Sequence, residues 1–134
     1  FFGADDDRNT GGTLRGSYLS SQRAETYAAI VALLMTKDDV EIRTDSLQLV
    51  YGATVRPTYV HNPDHSLYIA IKLLSKNRRV LWTYVKSHAG YYGNEKADRL
   101  ARQGSMVRIS SHTRLKGMTY KDVLCLSFDY MRQP

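Results

Sequence analysis

The stretch from Val80 to Ala101, VLWTYVKSHAGYYGNEKADRLA, decides the fold class. Val80 to Val85 is rich in β-branched and aromatic residues, including Trp82 and Tyr84, and predicts a strand. Ser87 to Gly93 is a glycine-containing loop that carries a histidine, His88. Asn94 is of N-cap type, so the spacing predicts a helix from there through Arg102, closed by Gly104. A strand that runs through a short loop into a helix is the repeating unit of an α/β domain.

The same alternation continues upstream. Val40 to Thr44 alternates apolar and polar residues, placing Val40, Ile42 and Thr44 on one face of a strand, with Asp45 where the strand ends. Ser20 and Ser21 are cap types, and a long helix is expected from them to about Met35. Its apolar residues Ala24, Ala28, Val31 and Met35 recur as one stripe that predicts the buried face. Asn62-Pro63 predicts another helix start, followed by Leu67, Ala70, Ile71 and Leu74 at i, i+3, i+4 and i+7. Phe1 to Gly16 reads as a hairpin leaving a strand that ends at Phe1-Phe2, with Thr13 to Leu19 as the returning strand. The expected architecture is α/β, a mixed sheet flanked by helices. Ser105 to Pro134 loses periodicity and is expected to be a tail outside a domain spanning 1–104.

The 134 residues suffice for one domain with a core. The longest apolar run, Ala28 to Met35, is too short to span a membrane. A single cysteine, Cys125, excludes an internal disulfide and a cysteine-based zinc site. The net charge is +6, and it is unevenly spread. From Lys76 to Lys121 there are eleven Lys and Arg against Glu95 and Asp98, whereas residues 1–75 carry seven basic and nine acidic residues. A polyanionic partner such as nucleic acid fits that asymmetry; so does a solvated basic surface.

Three carboxylates stand out by position: Glu25 and Asp98 in early turns of helices, and Asp45 at a strand end. The carboxyl ends of strands in α/β sheets face the crevice where ligands bind. Three acids gathered there repel one another, and a hard divalent cation, Mg²⁺ or Mn²⁺, removes that penalty. Taken singly, each also has a plain explanation, since an acid near a helix N-terminus complements the dipole and Asp45-Ser46 suits a turn or cap.

The segments around these acids narrow the choice. Ser21-Gln22-Arg23-Ala24-Glu25-Thr26-Tyr27-Ala28 resembles the N-Q-R-A-E-x-x-A segment of type 1 ribonuclease H. Thr44-Asp45-Ser46 matches that family's T-D-S. Val85-Lys86-Ser87-His88-Ala89-Gly90, then Gly93-Asn94-Glu95-Lys96-Ala97-Asp98-Arg99-Leu100-Ala101, resembles V-K-G-H-x-G…G-N-E-x-A-D-x-L-A. Order and spacing agree over about Phe1 to Gly104, and cellular members fit better than viral polymerase domains.

The resemblance implies an intracellular, monomeric endonuclease that hydrolyses the RNA strand of RNA–DNA hybrids with two Mg²⁺ or Mn²⁺ ions. Glu25, Asp45 and Asp98 would be three of its four metal ligands. His88 would assist proton transfer or product release. Ser21 and Gln22 would contact the RNA strand in the minor groove. Ser20 and Asn62 would hold a phosphate of the DNA strand, and Asn62 is also the helix cap proposed above. Lys86, Arg99 and Arg102 would flank the catalytic loop and helix as phosphate contacts.

The match departs from the family in two places. The strand that carries the family's first catalytic Asp, the central one of its sheet, has no counterpart in these residues. Asp5, Asp6 and Asp7 fall in a turn and do not replace it. A chain of just these residues is therefore expected to hold metal poorly and turn over little. The stretch from Gly52 to Val60 is too short for the family's basic, Trp-rich protrusion and holds only Arg56. These departures leave two alternatives, a hybrid-binding pseudo-enzyme and the ribonuclease H domain of a retroelement polyprotein.

Overall fold

The computed structural model describes residues 1–11, 21–54 and 65–106. They form α1 (Ser21–Leu34), β1 (Val40–Thr44), α2 (Leu47–Thr54), α3 (His65–Leu74), β2 (Val80–Tyr84) and α4 (Tyr92–Met106). The chain is α/β, with an RNase-H-like order of elements.

The two strands pair in parallel, Val40 opposite Val80 through Thr44 opposite Tyr84. Both ends of the ladder are extended by one bond. Val40 N–H donates to Arg79 C=O at 3.0 Å, and Val85 N–H donates to Thr44 C=O at 2.9 Å. The second of these carries ordered pairing up to Asp45. Val40, Ile42, Val80 and Trp82 pack against the core from this sheet.

The core lies between α1, α2, α3 and the sheet. Leu67, Ala70, Ile71 and Leu74 are all buried, so α3 presents the face that its spacing predicts. The stripe expected for α1 is wrong. Ala24 and Ala28 are exposed and Val31 and Met35 only half-buried, while Tyr27, Ile30 and Leu33 are buried. Apolar residues lie nearly all round this helix, so several stripes satisfy its period; the bulkier side chains, which bury the most area, decide which one faces inward.

Helix α2 was not expected. Ser46 Oγ accepts a hydrogen bond from Leu49 N–H at 3.1 Å and caps it, and Leu49 is its buried anchor. Its Gly52 abuts α3: a Cβ there would stand 2.5 Å from Tyr68 Cε1. Arg78 ties two helix ends together. Its guanidinium donates to the carbonyls of Leu33 (2.7 Å), Thr36 (2.8 Å) and Leu74 (2.7 Å), groups left over at the ends of α1 and α3.

The N-terminal hairpin strand is also a correction, since Phe1 and Phe2 form no strand. The side chain of Asn9 closes the turn instead, accepting from Phe2 N–H at 2.6 Å and donating to Gly3 C=O at 2.6 Å. An Asn amide satisfies locally the groups a ladder would have used. This segment runs along α4: Phe1 meets the Tyr92 ring edge-on at 5.8 Å, and Gly11 lies against the backbone of Leu100 and Gly104 with no room for a side chain. The expected returning strand and the Asn62-Pro63 helix start lie outside the described residues, whereas the expected close of the last helix at Gly104 and start of the tail at Ser105 are corrected, since α4 runs on through Gly104 to Met106.

Candidate active site

Three elements bring the carboxylates together. Asp45 follows directly on β1, Glu25 lies in the second turn of α1, and Asp98 lies in the second turn of α4. All three are half-buried. Burial pushes the Glu25 carboxyl above its ordinary pKa, and the negative charges of Asp45 and Asp98 push it further the same way. Asp45 and Asp98 therefore both lie within electrostatic reach of Glu25.

Asn94 joins two of these elements. Its Nδ2 donates to Asp45 Oδ2 at 3.2 Å. The sequence marked Asn94 as the cap of the last helix, but that helix begins at Tyr92, two residues earlier. Its amide is used on the carboxylate instead. A second link joins α1 to the start of α2, where Ser46 Oγ donates to Gln22 Oε1 at 2.8 Å. Spacing alone flagged neither role; both residues sit inside the quoted motifs.

His88 is exposed on the loop between β2 and α4 with φ at 53°. That left-handed conformation is uncommon for a residue with a side chain and clusters at functional loops. Lys86, Arg99, Arg102 and Ser21 are exposed, and Gln22 is half-buried. Ser20 and Asn62 lie outside the described residues.

An all-oxygen donor set whose members repel one another matches a hard divalent cation in its chemistry. Among the described residues, no three His, Cys, Asp or Glu side chains stand close enough to form a ready-made metal cage.

An α/β domain with acids at a strand end and at two helix starts defines a class of ligand-binding crevice, and sequence comparison identifies which. The chain matches the RNase H family over residues 2–106 and belongs to it. It is 37% identical over 116 residues to the Ribonuclease H of Schizosaccharomyces pombe, an alignment covering 78% of this chain and 44% of that one. It is 34% identical over 107 residues to the Ribonuclease H of Yersinia pestis (strain Pestoides F), covering 67% and 68%. To Ribonuclease H1 of Homo sapiens it is 29% identical over 104 residues, covering 64% and 35%. The chain thus spans less than half the length of its fission-yeast and human relatives.

Proposed function

We propose that this chain is the catalytic domain of a metal-dependent endonuclease that hydrolyses the RNA strand of RNA–DNA hybrids. The observation that carries the reading is the match to the RNase H family over residues 2–106, with Glu25 and Asp98 early in two helices and Asp45 just after β1, and burial and the charges of Asp45 and Asp98 raise the Glu25 pKa. Acids that repel one another at a strand end are costly to keep unless a cation binds them.

Glu25, Asp45 and Asp98 would hold Mg²⁺ or Mn²⁺. Once bound, such an ion supplies an activated water and neutralises charge developing on the phosphodiester. The protein's own side chains do the rest. Asn94 holds Asp45 in place. His88, exposed on its loop, exchanges a proton with the reacting phosphate region or with departing product. Lys86, Arg99 and Arg102 neutralise backbone phosphates. Ser21 and Gln22 contact the minor groove, where 2′-hydroxyls distinguish RNA from DNA.

A second reading is a hybrid-binding module with little turnover. Hybrid cleavage followed on a gel, with Mg²⁺ or with EDTA, by the chain joined at its N-terminus to a strand bearing Thr-Asp-Gly, separates the two. Metal-dependent RNA cleavage supports the enzyme; binding without cleavage in either condition supports the module.

A further inference from the structure

Two tyrosine rings stand in water where the His88 loop runs into α4. Tyr91 is 52% exposed and Tyr92 60%. The Tyr92 ring is held on two sides: Phe1 meets it edge-on at 5.8 Å, and the Lys96 ammonium stands 5.4 Å from its centroid. The Tyr91 ring has no hydrogen bond or ring contact among the described residues. The backbone beneath it is fixed, since Tyr91 C=O accepts from Glu95 N–H at 3.1 Å. Less than one helical turn on, Asn94 donates to Asp45. The bare ring is therefore displayed from the same helix end that holds the carboxylate of β1.

Exposed apolar side chains scattered singly are ordinary. These two are neighbours, and they sit in a run from Lys86 to Arg102 that carries four Lys and Arg against Glu95 and Asp98. Cations beside an open aromatic face are the chemistry that holds single-stranded nucleic acid: phosphates meet the charge and a base stacks on the ring. Inside a duplex both faces of each base are covered by its neighbours. A stacking ring therefore selects a base that is unpaired or at the end of a strand.

We propose that Tyr91 is a stacking site for an unpaired nucleobase of an RNA strand that runs off the hybrid, with Lys86 on the same loop and Lys96 on α4 for the flanking phosphates. The proposal rests on the hybrid-cleaving reading above and deepens it: the preferred substrate is a hybrid whose RNA strand continues unpaired, rather than a blunt one. RNA is the strand held because the ring stands beside the residue that binds Asp45, and in that reading the carboxylates act on the RNA strand.

The test is fluorescence binding in EDTA, so that no cleavage intervenes, with the chain joined to the Thr-Asp-Gly strand. Labelled hybrids of one sequence are compared: blunt, extended by short single-stranded RNA at the 5′ or the 3′ end of the RNA strand, and extended by the same length of abasic sugar-phosphate. The wild type is expected to bind one of the base-bearing extensions about tenfold more tightly than the blunt hybrid, the size of one stacked base. The abasic extension keeps the phosphates and gains little. Tyr91→Ala removes the preference, and Tyr91→Phe, which keeps the ring, retains it. A ring that only shapes the loop would lower both affinities of Tyr91→Ala together and leave their ratio as in wild type. The proposal is overturned if the wild type prefers neither extension, if the abasic one gains as much, or if Tyr91→Ala keeps the ratio. A wild type that binds blunt hybrid no better than double-stranded DNA of the same sequence overturns the functional reading and the proposal with it, so the two failures are distinguishable.

Discussion

Asn94 Nδ2 lies 3.2 Å from Asp45 Oδ2, a hydrogen bond between the first turn of α4 and the end of β1. It connects the helix that carries Asp98 to the strand that carries Asp45. The two acids are thereby held in relation to each other by a neutral donor that adds no charge to the cluster.

Replacing Asn94 by Ala frees Asp45 to rotate away. In a form of the protein with measurable activity, the expected result is a fall in kcat of about tenfold, equivalent to about 1.4 kcal/mol. KM is expected to stay within about twofold, because the groove contacts lie on other residues. Steady-state kinetics on a labelled hybrid checks the split; an effect confined to KM contradicts it.

Glu25 carries the opposite kind of cost. Its folded pKa is raised, so the folded protein holds this proton more tightly than the unfolded chain does. Above the ordinary carboxylate range the group therefore subtracts from stability, and the loss fades as pH falls through the folded value toward that range. Glu25→Gln is expected to melt higher than wild type at pH 7 in EDTA. The gain should vanish well below the ordinary Glu pKa. Mg²⁺ should raise the melting temperature of wild type but not of the variant, since binding to the folded state alone stabilises it.

Arg78 offers a test of the fold. Its guanidinium serves the carbonyls of Leu33, Thr36 and Leu74. Arg78→Ala leaves those groups to water or to nothing, at an expected cost of about 2–3 kcal/mol. Denaturant unfolding at pH 7 checks it, with hybrid affinity in the folded range unchanged.

These contacts also show what was legible in the sequence. The buried face of α3 was readable because Leu67, Ala70, Ile71 and Leu74 recur at i, i+3, i+4 and i+7, although Ile69 and Leu73 are also apolar and lie off that face. The face of α1 was not, because Ala24 and Ala28 fit the period as well as Tyr27 and Ile30 do, and only packing decides between them. Helix α2 escaped notice because it has 8 residues, and Asp45-Ser46 suited a turn as well as a cap. The acids were legible because strand ends and helix starts place them whatever their neighbours do. Asn94 was quoted within a motif but misjudged as a cap, and the second bond of Ser46, beyond its cap, was missed, since the partner of each is far off in the chain, Asp45 for one and Gln22 for the other.

Salt dependence tests the basic side of the site. Lys86, Arg99 and Arg102 are exposed, and neutralising phosphates releases counterions. Hybrid affinity is expected to fall steeply and log-linearly with salt. Lys86→Ala should reduce the slope by about one unit, weakening all sequences alike. A salt-independent affinity contradicts phosphate binding by this face.

The central claim is that Glu25, Asp45 and Asp98 serve metal-dependent cleavage of hybrid RNA. The family resemblance adds a fourth acid on a strand that these residues do not include. The most direct measurement is therefore cleavage of an end-labelled RNA–DNA hybrid, with Mg²⁺ and with EDTA, by two proteins. One is this chain, and the other is the same chain joined at its N-terminus to a strand bearing Thr-Asp-Gly. The expected result is little or no cleavage by the first and Mg²⁺-dependent cleavage of the RNA strand by the second, abolished by Asp45→Asn without loss of hybrid binding. Cleavage by the Asp45→Asn form, or cleavage that persists in EDTA, would contradict the account.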